Sequence, residues 1–242
     1  MPRDKRGYSH EERSGRRQRP REMKPLAIDL FCGLGGWTEG LLAEGYDVIG
    51  FDIERHEYGD HRYPAQLVIQ DVLTLHGRQF KDAALIVASP PCQAYSYRAM
   101  PWKRAKALPP PDNSLFEACF RIQREASEAA GRYIPLVVEN VRGAQKWVGR
   151  SRWNFGSFHL WGDVPALMPI GEAIKGNGKG WFGDYPSRKT QSLSWISSKS
   201  KARKAASAKI AKIPFTLAQY IANTYRPLTE PPLPIAERLE VA

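Results

Sequence analysis

A glycine-rich turn near the amino terminus constrains the fold of this chain more than any other feature. The apolar run Leu26–Ile28 leads into the segment Asp29–Gly36, and helical spacing follows over residues 36–44. A strand that ends in a tight glycine turn and opens a helix is typical of the nucleotide or nucleoside site in a Rossmann-type sheet. The glycines let a ligand approach the backbone closely, because no Cβ stands in the way. Their spacing does not match the dinucleotide pattern, which argues against NAD.

From Lys24 onward, short apolar runs alternate with helical patterns, which indicates a parallel sheet with crossover helices. The predicted strands are 26–30, 47–51, 66–69, 85–88 and 136–138, and the predicted helices are 36–44, 113–131 and 216–224. An aromatic segment, 153–161, is predicted as a strand or hairpin. The expected fold class is therefore α/β, with a Rossmann-type sheet.

Composition divides the chain into four parts. Residues 1–22 are polar and rich in arginine, which is typical of a flexible basic arm. The alternating pattern over 23–161 predicts the main domain, and the shift to Gly, Ser, Lys and Trp over 162–212 predicts a small separate module. Residues 213–242 hold a final helix and a proline-rich tail.

Charge and cysteine usage limit the partners and the compartment. The formal net charge of +11 favours a polyanionic partner. The three cysteines form no C-x-x-C pair, which argues against a disulfide framework or a structural zinc and favours a reducing cytosol. No apolar run approaches the ~20 residues that span a bilayer, and the amino terminus is charged rather than signal-like. We therefore expect a cytoplasmic protein without a membrane segment or a metal.

Other residues with chemical potential follow the remaining predicted strands. The fourth strand ends in Ser89-Pro90-Pro91-Cys92, a rigid proline pair followed by a thiol, and the fifth ends in Glu139-Asn140. Asp52 and Asp71 end the second and third strands, where they could bind ribose hydroxyls and an exocyclic amino group or simply cap a turn. Because the carboxyl ends of parallel strands meet at one edge of a sheet, a single site would hold both a ligand and an attacking sulfur.

In this order the motifs resemble those of the DNA (cytosine-5) methyltransferase family. The resemblance implies S-adenosylmethionine as cofactor, with Phe31 stacking on the adenine, Asp52 at the ribose and Asp71 at the adenine amine. The final helix would complete the pocket through Thr216. The implied cofactor-binding residues are Asp29, Phe31, Gly33, Leu34, Gly35, Gly36, Asp52, Ile53, Asp71, Val72, Pro91 and Thr216.

The chemistry of cytosine explains the predicted catalytic residues. Cytosine C5 accepts a methyl group only after a nucleophile adds to C6, and the thiolate of Cys92 suits this role because it attacks readily and leaves again. Glu139 would stabilise the adduct at N3, and Asn140 would hold the end of the strand. The predicted catalytic set is Cys92, Gln93, Glu139, Asn140 and Arg152.

A family motif, Gln-x-Arg-x-Arg, is only partly present. Arg150-Ser151-Arg152 keeps the spacing of its two arginines, which in the family contact the target base and the catalytic carboxylate. Val148 stands where the glutamine would be, and Gln145 is out of register.

The segment 94–111 interleaves aromatic and cationic residues, a pattern that favours contact with bases and phosphates. The family has a mobile loop here that closes over a flipped base, because C5 and C6 cannot be attacked within the stack. We expect a monomer that binds double-stranded DNA, acts in a bacterial or phage-infected cell, and uses the short 162–212 module for target recognition. The predicted nucleic-acid-binding residues are Ser96, Arg98, Trp102, Lys103, Arg104, Arg150, Lys199, Lys201 and Arg203.

Three alternatives stay open. An amino-methyltransferase would share Ser89-Pro90-Pro91, but its chemistry needs an aromatic residue where this chain has Cys92. A cytosine-5 enzyme that acts on RNA would have the same motifs. A catalytically silent DNA-binding protein on this fold would have no need to retain Cys92 and Glu139.

Overall fold

The computed structural model describes residues 24–59, 61–95, 109–169 and 201–227. Within these ranges seven strands form one sheet in the order β3-β2-β1-β4-β5-β7-β6. The strands are β1 Leu26–Leu30, β2 Asp47–Asp52, β3 Gln66–Ile69, β4 Ala83–Ala88, β5 Leu136–Asn140, β6 Trp153–Phe155 and β7 Phe158–Gly162. The α-helices are α1 Gly36–Ala43, α2 Ser114–Ala130, α3 Gln145–Val148, α4 Lys201–Ala211 and α5 Phe215–Tyr225.

The first five strands are parallel, and the β6–β7 hairpin continues the sheet in the antiparallel sense. β1 pairs with both β2 and β4, so the strand order reverses there and the chain crosses to the other side of the sheet. Ligands bind α/β sheets outside the carboxyl ends of the strands at such a switch point. The predicted α/β, Rossmann-type fold is confirmed.

Apolar residues on the two faces of the sheet form two core clusters. One cluster packs α2 against the sheet through residues that include Phe116, Cys119 and Ile122. The other packs α1 and α5 through residues that include Trp37 and Leu217. The central strands are buried on both faces, which explains why they are apolar runs rather than alternating patterns.

Several elements differ from the sequence-based prediction. β4 begins two residues earlier than predicted, at Ala83, and the short helix α3 was not predicted. β5 extends through Glu139 and Asn140, which therefore lie inside the strand rather than after it, because β7 pairs with them as an antiparallel neighbour. The helix α4 was not predicted, since its alanine and lysine residues show little amphipathic period. The predicted arm and proline-rich tail, and residues 170–200 of the predicted module, lie outside the described residues.

Candidate functional site

A cavity of about 2250 Å³ opens at the carboxyl edge of the sheet. Residues that follow β1, β2, β3, β4 and β5 line it, and α4 covers one side with residues such as Lys204 and Ala208. Most of the predicted site residues within the described ranges meet here. The predicted residues that line the cavity are Phe31, Gly33, Leu34, Gly36, Asp52, Ile53, Asp71, Val72, Pro91, Cys92, Gln93, Arg150 and Arg152.

Other predicted residues lie elsewhere or cannot be described. Asp29, Gly35, Glu139, Asn140 and Thr216 do not line the cavity. Ser96, Arg98, Trp102, Lys103, Arg104 and Lys199 lie outside the described residues, as do the side chains of Lys201 and Arg203.

The glycine turn has an unusual backbone. Phe31, Gly33 and Gly35 have φ angles of 57°, 51° and 77°, in the left-handed region that favours glycine. Phe31 is the non-glycine residue of this set, and such a conformation at a bulky residue often marks a functional site. A Cβ at Gly33 would meet no atom within 4 Å, so its backbone faces open space. At Gly35 a Cβ would lie 2.6 Å from Pro64, so this glycine serves packing behind the turn.

Asp29 lies beneath the turn and is fully buried. Its Oδ2 accepts a 2.6 Å hydrogen bond from Thr38 Oγ1. Burial raises the pKa of Asp29 to about 7, against the opposing effect of that hydrogen bond. Its position supports the turn from below, without contact with the cavity.

Thr216 is exposed at the start of α5. The residue that packs against the turn from this part of the chain is Ile213, because a Cβ at Gly36 would lie 2.4 Å from the Ile213 nitrogen. Ile213 and Lys212 line the cavity, and Lys212 Nζ contacts Glu39 Oε1 of α1 at 2.6 Å. The residues that precede the final helix therefore line the cavity, whereas Thr216 does not.

Asp52 joins the ends of β1 and β2. Its Oδ2 accepts a 2.9 Å hydrogen bond from the Gly33 amide, and its Oδ1 accepts from the Ile53 amide at 2.8 Å. His56 Nε2 lies 3.3 Å from Oδ1. Burial opposes ionisation of Asp52, but the hydrogen bonds from His56 and Gly33 outweigh it and hold its pKa below the usual value. Asp52 is thus an anchored carboxylate at the cavity wall.

Asp71, after β3, also caps the following turn, since its side chain accepts a 2.9 Å hydrogen bond from the Leu73 amide. The sequence pattern allowed two roles for Asp71, a cap of the turn or a contact with adenine. The cap is present, and the residue lines the cavity as well. Capping uses one oxygen, so the other remains free for a second partner.

Side chains from the strand β5 and the helix α1 hold the proline corner that carries Cys92. Asn140 Nδ2 donates to the Pro90 carbonyl at 2.9 Å, and the Val141 amide donates to Asn140 Oδ1 at 2.8 Å. Trp37 Nε1 donates to Ser89 Oγ at 2.9 Å. Cys92 itself is half-buried and lines the cavity.

Glu139 is only 3% exposed and lies in β5, one residue beyond the pair that Ala88 and Val138 form across β4 and β5. This position brings a buried carboxyl group to the level at which β4 turns into the proline corner. Burial of a carboxyl group costs desolvation free energy, so buried carboxyl groups in proteins usually have a hydrogen-bond partner or a functional role.

The Arg-Ser-Arg segment is anchored by a residue that lay out of register in the sequence. Gln145 Oε1 accepts hydrogen bonds of 3.2 Å from both the amide and the hydroxyl of Ser151. Ser151 Oγ also lies 3.0 Å from His159 Nδ1, on β7. Arg150 and Arg152 are exposed on either side of this anchor. Sequence reasoning missed His159, His56 and Trp37, because each gains its partner only through the fold.

Charges of opposite sign occupy opposite ends of the cavity. Carboxylates follow β2 and β3, at Asp52, Glu54 and Asp71. Cations follow β5 and precede β6, and they are Arg142, Lys146, Arg150 and Arg152. At the first end Lys204 lies 3.5 Å from Glu54 Oε2 and His56 lies 3.3 Å from Asp52 Oδ1, so part of the negative charge there is balanced. The second end favours a polyanion.

Within the described ranges, no group of three or more His, Cys, Asp or Glu side chains could hold a metal ion. Over the same residues, no helix has the length and apolar character to cross a membrane.

The His56–Asp52 pair predicts a pH-dependent contribution to stability. The hydrogen bond to Asp52 raises the pKa of His56, against the opposing effect of burial. The charge of Glu54 adds to this rise and that of Lys204 opposes it, while Tyr58 Oη lies 3.4 Å from His56 Nδ1. Because the pKa of His56 is higher in the folded state than the unfolded value of 6.5, protonation of His56 stabilises the fold. This contribution to the free energy of unfolding is fully present below pH 6.5 and is lost as the pH rises through the folded-state pKa.

We expect the wild type to exceed His56→Gln in Tm by about 1 to 3 °C near pH 6, as a partly buried ion pair contributes about 1 kcal/mol or less. The difference should shrink by about pH 8.5, and thermal unfolding across this range measures it. His61→Gln is the matched control, because His61 is an exposed residue that forms a backbone bridge with Tyr58. A Tm difference for His56→Gln that stays constant with pH would contradict the assigned ion pair.

Comparison with known proteins gives one family and several solved structures. The model of the C-5 cytosine-specific DNA methylase family matches residues 26–150, just over half of the chain. A search of curated proteins finds none that matches.

The similar solved structures are methyltransferases. One is a prophage-encoded protein of E. coli assigned as a DNA modification methyltransferase, with 25% identity and a TM-score of 0.36 over 52% of this chain and 34% of that chain. Another is the S. pombe Dnmt2 methyltransferase, with 18% identity and a TM-score of 0.35 over 51% of this chain and 36% of that one. A third is the Entamoeba histolytica methyltransferase EhMeth, with 17% identity and a TM-score of 0.35 over 51% and 40%. The chain thus spans between a third and two fifths of the length of these proteins.

Proposed function

Because this chain belongs to the C-5 cytosine-specific DNA methylase family, we propose that it transfers a methyl group from S-adenosylmethionine to C5 of a cytosine flipped out of double-stranded DNA. One observation carries the proposal. The half-buried thiol of Cys92, in the corner that follows β4, lines the cavity that the glycine turn opens, and the buried carboxyl group of Glu139 lies near the end of the neighbouring strand β5, whose following residues Val141 and Arg142 line the same cavity. With DNA as the substrate, the expected compartment is the cytoplasm of a bacterial or phage-infected cell.

The first end of the cavity fits the family's cofactor, S-adenosylmethionine. The open backbone at Gly33 allows close approach, and Oδ2 of the ionised Asp52, which accepts from the Gly33 amide, has a second lone pair for a ribose hydroxyl. The carboxylates of Asp52 and Asp71 also suit a cationic ligand, whereas Glu54 is paired with Lys204. When bound, the cofactor supplies an electrophilic methyl group. We assign Phe31, Gly33, Asp52 and Asp71 to hold it.

The residues at β4 and β5 perform the covalent chemistry. The sulfur of Cys92 forms a bond to C6 of the base, the electrons of the C5–C6 double bond make C5 nucleophilic, and Glu139 supplies a proton at N3. After methylation at C5, loss of the C5 proton to water re-forms the double bond, breaks the bond between sulfur and C6, and returns the proton from N3 to Glu139. Asn140 holds the Pro90 carbonyl and so fixes the corner that carries the thiol.

The cationic end of the cavity supports a nucleic-acid substrate. Arg142, Lys146, Arg150 and Arg152 are exposed there and suit phosphates or base edges. Trp153 is 39% exposed beside them, which offers an aromatic face for stacking on a base.

Methyl transfer to defined substrates tests the proposed function. The full-length protein is incubated with S-adenosylmethionine carrying a tritiated methyl group and with cytosine-containing duplex DNA, tRNA, or a duplex that contains 5-fluorocytosine. We expect label in the DNA and a covalent protein adduct on the fluorinated duplex, because fluorine at C5 cannot leave as a proton. Label in tRNA alone would retain the mechanism and assign an RNA substrate. Bound cofactor without label in any nucleic acid, across duplexes of varied sequence, would contradict the proposal.

A further inference from the structure

The proline corner has few groups that can hold it in place. Pro90 and Pro91 have no backbone N–H, so two consecutive residues donate no hydrogen bond. The groups that anchor the start of the corner are the Ser89 amide, which donates to the Leu30 carbonyl at 3.1 Å, the Pro90 carbonyl and the Ser89 hydroxyl. Asn140 binds the carbonyl, and Trp37 binds the hydroxyl. The hydrogen bonds from Asn140 and Trp37 therefore each contribute strongly to the position of the corner and of Cys92.

Trp37 is well suited to be a rigid anchor. It is the second residue of α1, directly after the glycine turn, and it is 2% exposed. Its ring packs in the core cluster that includes Leu41 and Val87, so its orientation is set by packing rather than by the hydrogen bond alone. A buried indole N–H needs an acceptor, and Ser89 Oγ provides it at 2.9 Å.

The bond from Trp37 to Ser89 joins two parts of the site that the sequence separates by 52 positions. One end belongs to the helix that the cofactor turn opens, and the other lies three positions before the nucleophile. Both residues line the cavity.

We propose that Trp37 is a positioning residue for Cys92, which acts by holding the Ser89 hydroxyl through its indole N–H. The role of Cys92 rests on the proposed function, whereas the tie between helix and corner does not. Through this tie the turn that receives the cofactor and the corner that carries the nucleophile keep one relative position. A small displacement of a nucleophile has a large effect on rate, and a displacement of about 1 Å can cost as much as 10²-fold.

Conservative variants test the tie. Trp37→Phe keeps an aromatic ring in the core and removes the N–H, and Ser89→Ala removes the acceptor. We expect each variant to lower kcat by about 10-fold and to change the affinity for S-adenosylhomocysteine, measured by calorimetry, by less than about threefold. The double variant should fall no further than the single ones, because either change breaks the same bond.

Tyr46→Phe is the matched control for the loss of a buried hydrogen-bond donor, and Ser89→Ala breaks the bond without the loss of ring volume that Trp37→Phe brings. Tyr46 is fully buried in the same core cluster, and its hydroxyl donates to the Ala222 carbonyl at 3.0 Å, away from the corner. We expect this variant to lower Tm and to leave kcat within about twofold of the wild type.

Hydrogen exchange supplies a readout that needs no turnover. Two hydrogen-bonded amides flank the corner: that of Ser89 donates to the Leu30 carbonyl at 3.1 Å, and that of Tyr95 donates to the Cys92 carbonyl at 3.0 Å. We expect these amides to exchange at least about 10-fold faster in Trp37→Phe and in Ser89→Ala than in the wild type, with no change in Tyr46→Phe.

The kinetic measurements and the hydrogen-exchange measurement together distinguish failure of this proposal from failure of the proposed function. Additive losses of kcat, a loss no greater than that of Tyr46→Phe, or a fall in cofactor affinity with unchanged kcat would overturn the positioning role. Unchanged exchange at the corner would overturn the tie itself. A wild type that methylates no nucleic acid, while exchange at the corner still depends on Trp37, would contradict the proposed function and leave the tie established.

Discussion

Replacement of Cys92 by alanine is expected to abolish methyl transfer while cofactor binding persists. The variant removes the atom that bonds to C6, and without that bond C5 of cytosine is too poor a nucleophile to accept a methyl group. Loss of a covalent nucleophile costs 10³-fold or more in kcat, so we expect a fall of at least about 10³-fold. Two assays measure it: tritium incorporation into duplex DNA, and adduct formation on a 5-fluorocytosine duplex.

Cys119→Ala is the matched control for the loss of a thiol. Cys119 is fully buried in α2, where its Sγ lies 3.4 Å from the Leu115 carbonyl, and it belongs to the core rather than to the cavity. We expect this variant to lose some thermal stability and to retain kcat and adduct formation. Persistence of methyl transfer in Cys92→Ala would refute the covalent mechanism. Loss of cofactor binding in Cys92→Ala would assign the residue to the pocket instead.

The second large effect is expected from Glu139→Gln. Glutamine has nearly the same volume and can remain in β5, but it cannot supply a proton to N3. General acid catalysis by a positioned side chain contributes 10² to 10⁴-fold, so we expect kcat to fall by about that factor. Adduct formation on the fluorinated duplex should slow by a similar factor, because Glu139 acts in the addition step. Single-turnover kinetics at saturating cofactor measure both quantities.

Glu125→Gln is the matched control for the loss of a carboxylate. Glu125 lies in α2, where Oε2 accepts a 2.7 Å hydrogen bond from the Gly77 amide and Oε1 lies 3.0 Å from Arg121 Nη1. We expect Glu125→Gln to lower Tm and to leave methyl transfer unchanged. If Glu139→Gln lowered Tm as its main effect and left kcat within about threefold, the acid role would be wrong.

Much of the fold follows from local patterns. Apolar runs predicted β1 and β3 at the bounds they have, and the glycine turn predicted where α1 begins. β1 is fixed by burial on both faces and the start of α1 by backbone conformations that glycine allows, whereas β3 is a half-exposed edge strand. All three signals are visible in short windows of sequence. β5 was cut short and α4 was missed, because a pairing with β7 and a packing site at the cavity depend on distant residues.

The same distinction between local pattern and tertiary packing applies to the predicted site residues. Cys92, Asp52 and Asp71 could be placed because they end strands, and parallel strands bring their ends together. Asp29 and Thr216 belong to the same motifs, yet the structure places one beneath the turn and the other at an exposed helix start. Which face of a turn a residue occupies depends on what packs behind it, and the sequence pattern does not carry that information.

Residue type and spacing alone predicted the class of fold, the edge of the sheet where the candidate site lies and the proposed nucleophile, because strands and their ends follow from hydrophobic patterning. The tertiary structure alone decided how that site is held together. The bonds of Trp37 to Ser89, of His56 to Asp52 and of Gln145 to Ser151 form between side chains whose meeting depends on angles and distances of about 3 Å. Hydrogen bonds form only over such short distances, so these side chains become partners only after the chain has folded.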